Sequence, residues 1–335
     1  MKAIKVLLVI LLLLVVTIFG AVYFLPDEAH MERSVVIRAS PQEVYQELIS
    51  FRNFNTWSPW AQRDPKTKFT YEGPSFGEGA AFHWSSQNPD VGDGSMEIVA
   101  VEKNHKVVCK MRFEGYPSEP VASFLLAPTA GGTEVTWTYN ENQVKGLSKI
   151  FMLGIDGFLG ADYESGLQQL KERVESAPVF KYNVHLTEIS TQHYLAVPDS
   201  TVNDPALMAT RMAQHFGDIY AYLAVKGIEP LGPRMVVFRR FDRELVSFEC
   251  GVPVAISPEM ELADFQVSEL NPGFAIQADF TGPHSELAKA YDELMKFSLY
   301  YNYETAGNPW EQYVSGPESY ADSTQWLTRV FYPVE

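Results

Sequence analysis

Only two cysteines, Cys109 and Cys250, occur in 335 residues. They lie far apart, each inside an apolar strand-like run, which speaks for buried thiols and against a disulfide framework or thiolate metal site. Histidine is also sparse. The seven histidines (His30, His83, His105, His185, His193, His215 and His284) show no ligand-type clustering, so no metal site is expected. Positive charge is short as well: 26 Lys and Arg stand against 42 Asp and Glu, a formal net charge of −16, and no basic stripe appears. Phosphate contact needs clustered cations, so nucleic acid is excluded as a partner. There is no Gly-x-Ser-x-Gly elbow and no phosphate loop, and Gly77-Glu78-Gly79 lacks the third glycine of a dinucleotide loop. No cofactor is expected.

What is present is apolar. With 46% hydrophobic and 13% aromatic residues, the chain has material for two domains with their own cores. Lys2 and Lys5 precede a charge-free run from Val6 to Leu25, which Pro26-Asp27-Glu28 ends. Twenty helical residues cross a hydrocarbon core of about 30 Å. The competing reading is a signal peptide, but the apolar run is long for one and no clear small-x-small cleavage site follows. The expectation is therefore an uncleaved anchor over residues 1–30, spanning the inner membrane of a bacterium once. Lysines before the span and acids after it put the bulk of the chain in the periplasm.

Residues 31–176 read as the first domain. Arg33 to Ala39 is strand-like. Ser40-Pro41-Gln42-Glu43 then starts a helix, with Ser40 as N-cap, Pro41 at the first position and Glu43 closing a capping box. Alternating stretches follow at Ala81–Trp84, Ser95–Val101, Lys106–Phe113, Ala122–Leu126 and Glu134–Tyr139, separated by turn residues, as in an antiparallel meander. A last helix carries Leu159, Tyr163, Leu167, Leu170 and Val174 on one stripe.

The segments Ser40-Pro41-x-x-Val44-Tyr45, Phe51-Arg52-Asn53-Phe54 with Trp57-Ser58-Pro59-Trp60, and Asp162-Tyr163-x-x-Gly166-Leu167-x-x-Leu170-Lys171 resemble the polyketide cyclase and START-like superfamily (SRPBCC). The resemblance implies a helix-grip fold around a deep apolar pocket. It implies no reaction, since carriers, sensors and enzymes share the fold. Trp57, Trp60 and Trp84 are either core or ligand contacts.

Ala177-Pro178 marks a boundary, and residues 177–335 read as two related halves. Glu188 after a Val-His-Leu strand pattern matches Glu269 after Phe-Gln-Val, and Val252-Pro253-Val254 matches Tyr332-Pro333-Val334. Each half holds a helix, one with Leu207, Met208, Met212, Phe216 and Ile219 on its apolar face, the other with Leu287, Tyr291, Leu294 and Ser298. A duplicated strand-helix-strand-strand unit would leave a groove along its pseudo-twofold axis. The stretch Trp310-Glu311-Gln312-Tyr313 follows the second helix. On a strand, Glu311 and Tyr313 share a face and Trp310 points away. Glu311 is then either a solvated strand residue beside core aromatics or an anionic group in an aromatic setting suited to a cation.

Phe280-x-Gly282-Pro283-x-x-x-Leu287, Ala290-Tyr291-x-x-Leu294, Trp310-Glu311-x-Tyr313, Gly316-Pro317 and Thr328-x-Val330-x-Tyr332-Pro333-Val334 resemble the GyrI-like small-molecule-binding domain. That resemblance implies ligand contact for Glu311, with Tyr313, Trp310, Tyr301 and Tyr222 as further candidates. Relatives that regulate transcription carry a helix-turn-helix domain ahead of this module, and none is visible here. The expected fold class is α+β: a helix-grip domain and a duplicated GyrI-like domain behind a transmembrane helix. The expected function is binding of hydrophobic or amphipathic small molecules, with cationic ones among the candidates. The alternatives are a hydrolase with Glu311 as general base and Tyr313 beside it, or a scaffold for another protein.

Overall fold

The computed structural model describes residues 4, 10, 13, 17, 20 and 22–335, except 143, 147, 257–261 and 263 and the side chain of residue 151. Most of the run expected to anchor the chain lies outside the described residues. Among the described residues no helix is long and apolar enough to cross a membrane. The chain divides into two compact units, Met1–Ala177 and Pro178–Glu335.

The first unit is built on a seven-stranded antiparallel sheet of order β1-β7-β6-β5-β4-β3-β2. Its strands are β1 (Glu28–Ile37), β2 (Lys68–Glu72), β3 (Ala81–Ser85), β4 (Asp93–Glu102), β5 (Lys106–Phe113), β6 (Val121–Thr129) and β7 (Gly132–Asn142). Between β1 and β2 lie α1 (Pro41–Leu48), α2 (Phe51–Trp57) and α3 (Pro59–Arg63); after β7 come α4 (Ser148–Met152) and α5 (Ile155–Glu175). The Ser40 capping box forms as the sequence predicts. Strand β2, Lys-Phe-Thr-Tyr-Glu, has no counterpart among the predicted strands; it is an edge strand with no fully buried residue.

Helix α5 runs along β1 and packs on α1, α2 and α3, burying Tyr163, Leu167, Leu170 and Val174. The close approach depends on Gly166, where a Cβ would lie 2.8 Å from the Trp137 ring. Trp137, 1% exposed, stacks on Tyr163 at 4.0 Å and on Phe124 at 4.8 Å. Cys109 is buried on β5 as a free thiol, and desolvation raises its pKa.

The second unit holds an eight-stranded antiparallel sheet of order β12-β9-β11-β10-β14-β15-β13-β8. Its first half contains β8 (His185–Ile189), β9 (Gln192–Val202), α6 (Pro205–Lys226), β10 (Arg234–Phe241) and β11 (Leu245–Pro253). The second contains β12 (Gln266–Leu270), β13 (Gly273–Thr281), α7 (Ala288–Tyr301), β14 (Trp310–Tyr313) and β15 (Leu327–Val334). Each half therefore has two strands before its helix, one more than the sequence predicts: the short first strand is the one the sequence marks, and the addition is the second, β9 or β13, whose consecutive buried residues (Tyr194-Leu195-Ala196, Ala275-Ile276) break simple alternation. The first strand of each half pairs across: β8 lies against β13 of the second half and β12 against β9 of the first. The pseudo-twofold passes between β10 and β14 at the sheet centre, where Val236 faces Glu311.

Two cores result. On the helix side α6 buries Met212, Phe216, Ile219 and Leu223 against Val236, Phe238, Phe248 and Cys250. Leu207, predicted on that stripe, is 40% exposed at the first turn. A second cluster joins Tyr194, Met235, Val237, Leu270, Ala275, Trp310 and Phe331. Cys250 is buried as a free thiol.

Candidate functional site

In the second unit, Glu311 sits on β14 between β10 and β15, 5% exposed. Helix α6 packs on β9 and β11, and α7 on β13 and β15, so the carboxylate lies at the centre of the sheet between the strands that carry the two helices. Both of its oxygens accept hydrogen bonds. The Tyr313 hydroxyl donates to Oε2 at 2.5 Å and the Tyr291 hydroxyl to Oε1 at 3.0 Å. Burial holds the Glu311 carboxyl above the usual carboxylate range, against the two donors that pull it down. Desolvation, reinforced by the Glu311 charge, pushes both tyrosines well above their ordinary value, so they stay protonated as donors.

Aromatic groups continue outward from Tyr313. Its ring lies 6.3 Å from Phe216 on α6 and 5.0 Å from His284, which in turn lies 4.9 Å from Trp326. The His284 Nε2 is buried without a hydrogen-bond partner. Burial, with Arg234 nearby, lowers the His284 pKa and favours the neutral ring. The Arg234 guanidinium stands over Phe216 at 5.4 Å and over Tyr313 at 6.0 Å, and pairs with Glu318 at 3.1 Å. The aromatic faces beside the carboxylate thus already carry one cation of the protein's own.

Of the residues the sequence singles out, Glu311 and Tyr313 come together. Trp310 does not join them: alternation turns it to the other face, where it stacks on Phe331 at 4.7 Å inside the second core. Tyr301 packs with Phe297 and Tyr303 at the end of α7, ten positions and about 15 Å of helix beyond Tyr291. Tyr222 packs on Phe265 at 4.9 Å, six positions and about 9 Å along α6 from Phe216. Tyr291, His284, Phe216 and Arg234 are the members that sequence reasoning leaves out as ligand groups. Tyr291 was legible as part of a helix stripe and of the GyrI-like resemblance, and neither says which residue meets the carboxylate.

In the first unit, sheet and helices line a partly open cavity of about 260 Å³. Its walls are aromatic: Phe54, Trp60, Phe69, Phe82, Trp84 and Phe113 contribute, together with Met96 and Met111. Trp57 takes no part, being core at 1% exposure, whereas Trp60 and Trp84 line the space. At β7 and α5, Tyr139, Tyr163 and Leu159 join the lining, and Asn55, Ser58, Thr67 and Asp90 add polar groups to it. The Tyr139 hydroxyl donates to Glu141 Oε2 at 2.6 Å, and Tyr116, from the segment after β5, donates to Glu141 Oε1 at 2.6 Å. Glu141 is 2% exposed. Among the described residues no cluster of His, Cys, Asp and Glu is arranged to hold a metal ion.

Comparison with known proteins places these sites in context. Residues 28–175 match the family model described as polyketide cyclase / dehydrase and lipid transport, which supports the helix-grip reading of the first unit. No curated protein sequence matches the chain. Among solved structures, the C-terminal domain of EcmrR is similar at 18% identity over 46% of this chain and 98% of that one, with a TM-score of 0.40. The hydrolase encoded by lin2189 of Listeria innocua is similar at 13% identity over 47% of this chain and 94% of its own, with a TM-score of 0.35. SAV2435 bound to tetraphenylphosphonium is similar at 14% identity over 46% and 94%, also with a TM-score of 0.35. At such identities and TM-scores these likenesses assign no function to this chain.

Proposed function

We propose that this chain binds hydrophobic or amphipathic small molecules and is tethered to a bacterial inner membrane by its apolar N-terminal run, with both units on the periplasmic side. The observation that carries the reading is the aromatic-walled cavity of the first unit, which lies within the span matched by a cyclase and lipid-transport family. Enclosed apolar space lined by a few polar groups is how small-molecule sites are built. The Glu311 site of the second unit is the companion: a buried carboxylate beside aromatic faces suits a lipophilic cation. The net charge of −16 fits neutral or cationic ligands and disfavours nucleic acid.

Ala61, which lines the cavity, gives a direct test. Ala61→Trp fills the space and abolishes uptake of 2-naphthol by the full chain in native mass spectrometry, while leaving tetrabutylammonium binding intact. Unchanged naphthol uptake by the variant sinks the cavity reading. The anchor is tested separately, by retention of the full chain in membranes after carbonate extraction.

One observation favours a second reading, hydrolysis. Burial lifts the Glu311 carboxyl towards the range a general base needs. In that case Glu311→Gln abolishes turnover of an electrophilic substrate while neutral ligands still bind. Turnover unaffected by the substitution excludes it.

A further inference from the structure

The polar end of the first cavity carries a directional feature. Tyr139 lines the cavity, yet its proton points elsewhere, to Glu141 Oε2 at 2.6 Å. Tyr116 fixes the other carboxylate oxygen at 2.6 Å, so Glu141 is held from two sides and its position is not adjustable. Tyr139 is itself 3% exposed and Glu141 2% exposed, so neither exchanges partners with bulk water. A phenol has one donor and two acceptor lone pairs, and with the donor committed only the lone pairs remain to be offered.

We propose that Glu141 locks the Tyr139 hydroxyl as an acceptor, so that the cavity selects amphiphiles whose polar end donates a hydrogen bond, an alcohol or phenol over its methyl ether. This rests on the reading of the cavity as a ligand site. Glu141 is a positioning residue here and Tyr139 the group that meets the ligand. A ligand that offers only acceptors sets its oxygen against the Tyr139 lone pairs, and that contact gains no hydrogen bond. The phenylalanine rings of the lining are indifferent to this distinction.

The test uses 2-naphthol and 2-methoxynaphthalene, which share a ring system and differ in the single donor. Both are titrated against the full chain in lipid nanodiscs, with empty nanodiscs subtracted. Wild type is expected to prefer the naphthol by about tenfold, the ratio a buried hydrogen bond with an otherwise unpaired partner gives. Tyr139→Phe brings the two affinities to within about twofold, and its retained binding of the ether shows the cavity intact. Glu141→Gln reduces or inverts the preference, because the amide can donate to the phenol oxygen and release its proton to the ligand. Tyr116→Phe keeps the preference.

Equal affinities in wild type, or a preference that survives Tyr139→Phe, overturn the proposal while leaving the cavity as a ligand site. Binding of neither compound to wild type overturns the cavity reading as well.

Discussion

The two units contain the same small device in opposite orders. In the first, Tyr139-x-Glu141 lies on β7; in the second, Glu311-x-Tyr313 lies on β14. Strand alternation puts each pair on one face, and in each the tyrosine donates to the carboxylate while a second tyrosine, Tyr116 or Tyr291, arrives from another element. The surroundings differ. In the first unit the tyrosine lines the cavity and the carboxylate stands behind it. In the second the carboxylate itself is central, with Phe216 and His284 set about Tyr313. One arrangement sets a hydroxyl against the cavity and the other centres on the carboxylate itself, so sequence order alone does not define the role of a buried Glu-Tyr pair.

The comparison breaks most sharply on a lipophilic cation. Glu311→Gln should weaken tetrabutylammonium binding by about thirtyfold or more, since removing one partner of a buried charge contact costs 2 kcal/mol or above. Glu141→Gln should leave that affinity unchanged. Isothermal titration calorimetry on the three proteins reads this directly, and equal losses from both substitutions would dissolve the distinction.

Acidification gives the next effect. The folded Glu311 carboxyl is raised, so as pH falls it loses its charge before an ordinary glutamate of pKa about 4.3 does. Cation affinity should therefore decline at a pH above that value and be absent below it. Above the raised pKa the buried charge costs stability, and protonation relieves that cost. Cation binding that stays constant down to the ordinary carboxylate range would place the charge elsewhere.

Arg234 offers a smaller sharpening. Its guanidinium covers the Tyr313 and Phe216 faces that a ligand cation would use. Arg234→Met should raise tetrabutylammonium affinity by about fivefold, the scale of one partly exposed cation–π contact. A decrease would show that the arginine helps to build the site. Asp199 supplies a control that belongs to neither site. Arg211 and His215 hold its carboxyl down to about 2. Its stabilisation is present above the unfolded aspartate pKa of about 3.9 and lost as pH falls through about 2. Asp199→Asn should cost about 1 kcal/mol in chemical unfolding at pH 7, because Arg211 is half exposed and solvent screens the pair.

Local order was legible in the sequence because it is written in short patterns. The Ser40 capping box, the Lys106–Phe113 strand and the α5 stripe all depend on residues within a few positions of one another. Alternation likewise separated Trp310 from Glu311. Partnership across the chain was not legible. Nothing near Tyr291 says that its hydroxyl meets Glu311, and nothing near Tyr116 says that it meets Glu141. Strand β2 has five residues, too few for its period to stand out, and β8 and β12, legible as short strands ending near Glu188 and Glu269, do not name their neighbours.

The crossed first strands of the second unit have a consequence in time. Strand β8 leaves the ribosome early, yet Ile189 has its partner only when Gly273 and the rest of β13 have followed. During synthesis or export β8 waits unpaired until β13 follows, and the β10 edge of the first half waits longer still, for β14. A chain that stops after Pro253 would hold β9, β10 and β11 but no mate for β8, leaving a strand free to pair with another copy. Growth from one end thus leaves the sheet of the second unit unfinished until its second half has emerged, and pairings this distant in sequence are slow to close.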